Sequence, residues 1–321
     1  MEPEKSLKRL SISAATPGAG LATAIVQKLR DNGYLAYLTG GCVRDLLLGR
    51  EPSDFDVTTS AQPDALLGLF PEASQVGAHF GVVIVHRDGA EVEVATFRSD
   101  LQYRDGRHPD GVSFETNPEK DVLRRDFTIN ALLLDPLTGE VLDFAGGQAD
   151  LKARRIRAIG DPERRFGEDH LRLLRAVRFA ARLGFEIEPA TFAAIRRLAP
   201  LIRNISPERV RDEIAKILTE GAARRGFELL DASGLLGEVL PEVAALKGVA
   251  QPPQFHPEGD VWTHTLMMLQ GLREPSITLA LGVLLHDIGK PATFRVAERI
   301  RFDGHVEKGI EIARALLTRL R

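Results

Sequence analysis

The sequence carries a single cysteine, Cys42, among 321 residues. An intrachain disulfide is therefore excluded, and a reducing compartment is the simplest expectation. No apolar run approaches the roughly 20 residues that a bilayer crossing requires; Leu46-Leu47-Leu48 is typical of the runs present. No stretch reads as a signal peptide, so the expected location is the cytoplasm and no membrane partner is expected. There is no internal repeat and no low-complexity tract. An excess of basic charge is also missing, since the formal net charge is −3. Phosphate-binding surfaces are usually basic, but the average hides a distribution. Arginines crowd positions 124–182 and again 196–225, and such a local stripe can bind RNA.

Strand signals are confined to the first half. The pattern predicts a helix over 19–30, stopped by Asp31-Asn32-Gly33, and then a strand over 34–39. Gly40-Gly41 opens a second helix that runs to Leu48 and ends at Gly49, and 54–58 reads as a strand. Two hairpins follow, one around Arg87-Asp88-Gly89 and one around Pro136-Leu137-Thr138-Gly139. From about position 150 apolar residues recur at helical spacing and no convincing strand remains. The fold class is α+β, a mixed first half followed by helices. Pro252-Pro253 and Pro257-Glu258-Gly259 mark the start of a further helical module.

Asp54 and Asp56 lie two apart in the expected strand. Side chains at i and i+2 share a face, roughly 7 Å apart at the backbone. Two carboxylates so placed can hold hard, oxygen-seeking cations, and a pair of Mg²⁺ ions suits phosphoryl transfer. An isolated D-x-D is commonly only a turn, but this one follows Gly40-Gly41 and Arg44. Paired glycines allow close backbone approach, a helix N-terminus offers N–H groups to phosphate, and Arg44 adds positive charge there.

These residues sit in GGCVRDLLLGREPSDFDVTT, which resembles the first motif of the tRNA nucleotidyltransferase (CCA-adding) and bacterial poly(A) polymerase family. ATFRSDLQYRDGRHPDGVSF, RRDFTINALLLDPLTGEVLDFAGGQADL and FGEDHLRLLRAVRFAARLGF resemble its later motifs, in family order. The resemblance implies a polymerase-β-like nucleotidyltransferase head with a small mixed sheet over 1–150. It further implies an all-α neck over 151–220, and a helical body with a partial HD module over 221–321. It implies transfer of C and A from CTP and ATP to the 3′ end of tRNA, with Mg²⁺ on Asp54 and Asp56 as the catalytic pair. Glu93 is a candidate third carboxylate, and Gly41, Arg44 and Arg125 are candidate nucleotide contacts, with Asp126 as the internal partner of Arg125.

On a helix expected over 168–183, Leu173, Leu174, Ala176, Val177, Ala180 and Ala181 share one arc. Arg172, Arg175, Arg178 and Arg182 share the opposite one with Glu168, and Leu171 and Phe179 intrude on it, so this is not a plain solvated face. The resemblance implies that Asp169 and Arg172 read the edge of the incoming base, with Glu168 holding Arg172. Arg175 and Arg178 would then contact the nucleotide. Arg98, Asp100 and Asp105 fall in a segment that resembles the family's mobile loop.

His264, His286-Asp287 and His305 resemble the metal-binding set of an HD phosphohydrolase module, implying a second, transition-metal site. Such modules take a further ligand from a later helix, and relatives continue with a tRNA-holding tail. With the sequence ending at Arg321, a partial module and a weaker hold on tRNA are expected. His79, His86, His108, His170 and His256 read as structural or exposed. The rival functions are poly(A) polymerase, A-only or CC-only addition and, from another class, an HD-type phosphohydrolase.

Overall fold

The computed structural model describes residues 4–5, 17–75, 81–100 and 111–321. By its internal contacts the chain divides into two compact units, 1–168 and 169–321.

The first unit is built on a mixed sheet. Its strands are β1 (Glu4–Lys5), β2 (Ala36–Thr39), β3 (Asp56–Thr59), β4 (Ala73–Gln75), β5 (Val82–Arg87) and β6 (Ala90–Thr96). A separate ribbon pairs β7 (Arg98–Asp100) with β8 (Val112–Phe114), after which β9 (Leu132–Leu134) and β10 (Val141–Asp143) return to the sheet. Among the described residues the sheet has eight strands in the order β1-β10-β9-β2-β3-β6-β5-β4. Among these described strands only β3 and β6 run parallel to each other, with Asp56 beside Glu93 in register. Alternation sets the faces: Val92 and Val94 of β6 are buried while Glu91 and Glu93 are exposed. Helix α1 (Pro17–Asp31) buries Ala22, Ile25, Val26 and Leu29 at the i, i+3, i+4, i+7 spacing of a helix on a sheet.

Both expected hairpins form. Arg87 pairs with Ala90, so Asp88 (φ 51°) and Gly89 (φ 77°) make a two-residue turn of the I′ kind, which matches strand twist. The strand expected over 54–58 begins later than expected. Its ladder opens at Asp56, paired with Thr39, and Asp54 stands ahead of it in irregular chain. Short helices complete the unit: α2 (Gly41–Leu47), α3 (Pro63–Leu69), α4 (Pro118–Leu123), α5 (Gly147–Lys152) and α6 (Pro162–Glu168).

The second unit is helical. It comprises α7 (Arg172–Leu183), α8 (Pro189–Leu198), α9 (Pro207–Thr219), α10 (Ala223–Ala232), α11 (Leu235–Val239), α12 (Pro241–Ala244), α13 (Val261–Gly271), α14 (Ile277–Leu285), α15 (Lys290–Thr293) and α16 (His305–Leu320). A ribbon of two short strands, Arg295–Val296 with Ile300–Arg301, and the short strand Glu186–Ile187 are exceptions that helical spacing did not signal. The single helix expected over 168–183 is broken. Helix α6 ends at Glu168, residues 169–171 form a turn, and α7 starts at Arg172. Its apolar arc is the predicted one, with Leu173, Leu174, Ala176, Val177 and Ala180 fully buried. At Gly289 a Cβ would meet the His305 carbonyl oxygen at 2.0 Å. The loop after α14 can therefore pack on α16 only through glycine.

Candidate active site

The candidate site of the first unit is built around Asp56. That residue opens β3, flanked by β2 on one side and β6 on the other. The turn from β2 into α2 passes over it. Gly40 takes φ 75° and ψ −136°, and a Cβ there would stand 3.5 Å from Asp56 Oδ2 and 3.8 Å from an Arg125 guanidinium nitrogen. Burial, then the charges of Glu93 and Asp54, push the Asp56 carboxyl up to about 7 against the pull of Arg125. No basic side chain among the described residues comes within the 4 Å of an ion pair with it. An all-oxygen donor set with unneutralised negative charge fits a hard divalent cation. Glu93 and Asp54 are the carboxylates whose charge reaches Asp56, Glu93 the more strongly. Among the described residues the three do not form a group whose oxygens all lie within 4.8 Å.

Behind this group lies a residue that sequence reasoning passed over. Asp121, fully buried, accepts from Arg124 Nε (3.0 Å), Arg125 (2.8 Å) and Thr58 Oγ1 (3.3 Å). Burial alone would raise its carboxyl, but Arg125 and Arg124 bring it down to about 2. The partner of Arg125 is thus Asp121 and not the expected Asp126, which accepts from the Phe127 amide (2.7 Å) and Asn130 (3.2 Å). The i, i+3 and i, i+4 spacing of Asp121 to Arg124 and Arg125 was the available signal.

Arg44 also departs from expectation. Only 3% exposed, it donates from Nε and a terminal nitrogen to Asp45 (2.8 and 2.9 Å) and to Asn130 Oδ1 (2.7 Å). Its side chain is turned inward and ties α2 to the segment before β9. Arg98 and Asp100, expected in a loop, lie instead in β7, paired with β8; Arg98 Nε lies 3.4 Å from Asp100 and Arg124 3.8 Å from the same carboxylate. Asp105, His79 and His108 lie outside the described residues.

In α6, Glu168 receives Arg165 at 2.9 Å and Arg164 at 3.6 Å. In the second unit Asp169 is gripped by both terminal nitrogens of Arg209, at 2.9 and 3.3 Å. Arg209 carried no signal in the sequence. The arginine arc of α7 is largely buried: Arg172 is 9% and Arg178 5% exposed. Arg178 donates to Glu213 at 2.7 Å and stacks over Phe179, and Arg175 also lies over that ring. Arg182 lies 3.6 Å from Glu220.

The histidines regroup. His264, His286 and Asp287 come together, with ligand atoms all within 4.8 Å, and so do His256, Glu258 and His264. His305 belongs to neither group and donates from Nδ1 to the Phe302 carbonyl at 2.8 Å. His256, read from sequence as structural or exposed, stands beside the expected set. Asp287 lies 3.0 Å from His286 Nε2 and 2.7 Å from Lys290 Nζ; these bonds overcome its burial and bring its carboxyl to about 2. The same bond to Asp287 raises His286.

Three domain families match. Residues 36–157 fit the poly A polymerase head domain, 184–247 the probable RNA and SrmB-binding site of polymerase A, and 260–321 the HD domain. The chain is 44% identical over 218 residues to a CCA-adding enzyme of Bacillus pumilus, covering 68% of this chain and 54% of that one. It is 42% identical over 255 residues to a CCA-adding enzyme of Lactobacillus helveticus, covering 78% and 63%. The chain thus spans between half and two thirds of the length of these curated relatives. Its fold is similar to the crystal structure of the Bacillus stearothermophilus CCA-adding enzyme in complex with CTP. The TM-score is 0.69 at 33% identity, over 94% of this chain and 69% of that one. Among the described residues no helix is long and apolar enough to cross a membrane.

Proposed function

The chain belongs to the CCA-adding enzyme and poly(A) polymerase family of nucleotidyltransferases, and from that premise we propose that it adds C and A from CTP and ATP to the 3′ end of tRNA. No template is used and pyrophosphate leaves. The observation that carries this reading is the half-buried Asp56 carboxylate, set against the Gly40 turn with the charges of Glu93 and Asp54 upon it and, among the described residues, no basic side chain within ion-pair distance.

Mg²⁺ held by Asp54 and Asp56 would supply charge neutralisation and Lewis acidity when bound. The chain's own residues orient the reactants, since positioning and electrostatics provide most of the rate in phosphoryl transfer. The RNA 3′-hydroxyl attacks the α-phosphorus, the bond to pyrophosphate breaks, and the hydroxyl proton is lost. Gly41 gives close backbone approach for the phosphates, and Arg125, held by Asp121, lends positive charge. Asp169 and Arg172 offer acceptor and donor to the base, with Glu168 in support, and Arg175 and Arg178 contact the nucleotide. Arg98 and Asp100 of β7, with Asp105, act in the change from C to A. Arg44 acts through the shape of the Gly40–Gly41 turn. We assign the head to 1–150, the neck to 151–220 and the body to 221–321, and the location to the cytoplasm.

Incubation with tRNA lacking its CCA end, giving CTP and ATP singly and together, tests the reading. Two C residues followed by one A are expected. Long adenosine tracts on unrelated RNA would instead make the chain a poly(A) polymerase, and addition of C alone or A alone a partial enzyme. No incorporation, or normal turnover by Asp56→Ala, overturns the proposal. The grouping of His264, His286 and Asp287 favours a second, separate reading as a phosphohydrolase, tested on a 2′,3′-cyclic phosphate.

A further inference from the structure

We infer that Arg165 is a positioning residue for nucleotide transfer. Its one guanidinium ties the backbone that carries Arg125 to the Glu168 carboxylate, so a single group holds the phosphate side and the base side of the reaction. The inference rests on the nucleotidyl-transfer reading above and deepens it.

Arg165 lies in the middle of α6. Asp161 starts that helix, its side chain accepting from the Arg164 amide and its carbonyl from the Arg165 amide, both at 2.9 Å. Phe166, next in sequence, is fully buried and anchors the helix. Two adjacent arginines then have opposite settings. The Arg164 side chain is 84% exposed and that of Arg165 only 13%.

The buried guanidinium is surrounded by acceptors. Nε donates to the Ile159 carbonyl (3.1 Å), and one terminal nitrogen donates to the Leu123 carbonyl (2.7 Å). The other terminal nitrogen serves both the Arg124 carbonyl and Glu168 Oε2, each at 2.9 Å. Leu123 and Arg124 close α4, where helix carbonyls have no partner within the helix. The Arg124 carbonyl belongs to the rigid peptide plane that ends at the Arg125 nitrogen. On the other side, the Ile159 amide donates to the Asp126 carbonyl at 3.2 Å. Arg165 therefore anchors the chain immediately before Arg125 and, through Ile159, immediately after it. The Arg125 side chain runs from this frame to Asp121 (2.8 Å) and to the Gly40 turn over Asp56.

The remaining acceptor, Glu168, stands at i+3 on the same helix face and is the last residue before the turn that begins with Asp169. Any shift of Arg165 is thus felt by both groups. Lysine cannot take its place. An ammonium offers three donors from one point, whereas these four acceptors lie around a flat group whose five N–H bonds share a plane.

The full chain, assayed on tRNA lacking its CCA end, tests the inference through kcat and KM for CTP and ATP, misincorporation of UTP and GTP, and melting of each variant. Arg165→Lys keeps the charge. Well below its melting temperature it should lose about tenfold in kcat, with KM changed less, and misincorporate about tenfold more. Combined with Glu168→Gln it should be non-additive, the double variant misincorporating no more than Arg165→Lys alone. Arg164→Ala, which removes the exposed arginine 3.6 Å from the same carboxylate, should behave as the unaltered chain does. An Arg165→Lys variant that melts earlier yet keeps its kcat and selectivity overturns the inference and makes Arg165 a brace for α6. A change in kcat alone or in selectivity alone overturns the shared hold, as do additive effects or an equal loss in Arg164→Ala. If the unaltered chain incorporates nothing, the nucleotidyl-transfer reading falls and takes this inference with it. If it incorporates normally and Arg165→Lys matches it, only this inference falls.

Discussion

Gly40 faces Asp56 at the start of β3: a Cβ on Gly40 would stand 3.5 Å from Asp56 Oδ2. The backbone there holds φ 75° and ψ −136°, which L side chains rarely adopt. Gly40→Ala should therefore do two things. Strain of about 1–3 kcal/mol should lower the melting temperature, and the displaced turn should reduce nucleotide incorporation by at least about tenfold, one decade per ~1.4 kcal/mol of transition-state stabilisation lost. A variant that melts and turns over like the unaltered chain would show that the turn has no part in the site.

Asp56 titrates near 7 because burial and neighbouring carboxylates disfavour its charge. The unfolded carboxyl ionises near 3.8. Between these values the folded chain holds a proton that the unfolded chain has released, so metal-free stability falls as pH rises through the window. Asp56→Asn should remove that dependence and melt later than the parent at pH above about 7, by the equivalent of about 1 kcal/mol after allowing for solvent screening. Mg²⁺ should raise the melting temperature of the parent more at high pH than at low, and leave Asp56→Asn unmoved. Melting curves across pH, with and without Mg²⁺, check all three.

Asp121 is the opposite case. Its carboxyl is held at about 2 by Arg125 and Arg124 despite burial. Its contribution is complete above the unfolded value near 3.8 and is lost as pH falls toward 2. Asp121→Asn leaves two arginines without their shared counter-charge and should cost about 2–3 kcal/mol at neutral pH. The gap between parent and variant should close in acid, which denaturant titration at two pH values would measure. An equal gap at both would mean that Asp121 acts by shape and not by charge.

The sequence made the head legible because its strands and turns obey local rules. The alternating Val92 and Val94, and the Asp88-Gly89 turn, announce a hairpin without reference to anything distant. The Gly40-Gly41 turn and a strand beginning at Asp56 were readable in the same way, whereas Asp54, expected on the same strand face, stands ahead of the ladder. What was missed is long-range. Arg44 looked like a phosphate ligand until Asn130, 86 positions on, took its guanidinium. Arg209 reaches Asp169 across 40 positions, and no periodicity encodes such a meeting. The broken helix at 169–171 was signalled only by Leu171 intruding on the charged arc; the Asp169 carboxylate accepting the Leu171 amide at 3.1 Å competes with the helix there.

That meeting of Arg209 and Asp169 gives the last prediction. Two guanidinium nitrogens hold one carboxylate, a fork that fixes direction as well as charge. If Asp169 reads the base under the proposed function, its aim depends on Arg209, a residue expected to touch no substrate. Arg209→Ala should then raise KM for CTP and ATP and relax discrimination against UTP and GTP by about tenfold, worth ~1.4 kcal/mol. Arg209→Lys should restore the charge but not the fork, and so recover stability more than selectivity. Misincorporation measured with each nucleotide separately, beside a melt of each variant, distinguishes the two effects. Should Arg209→Ala lose stability while keeping its choice of nucleotide, the pair is a brace for the turn between α6 and α7 and Asp169 takes its aim from elsewhere.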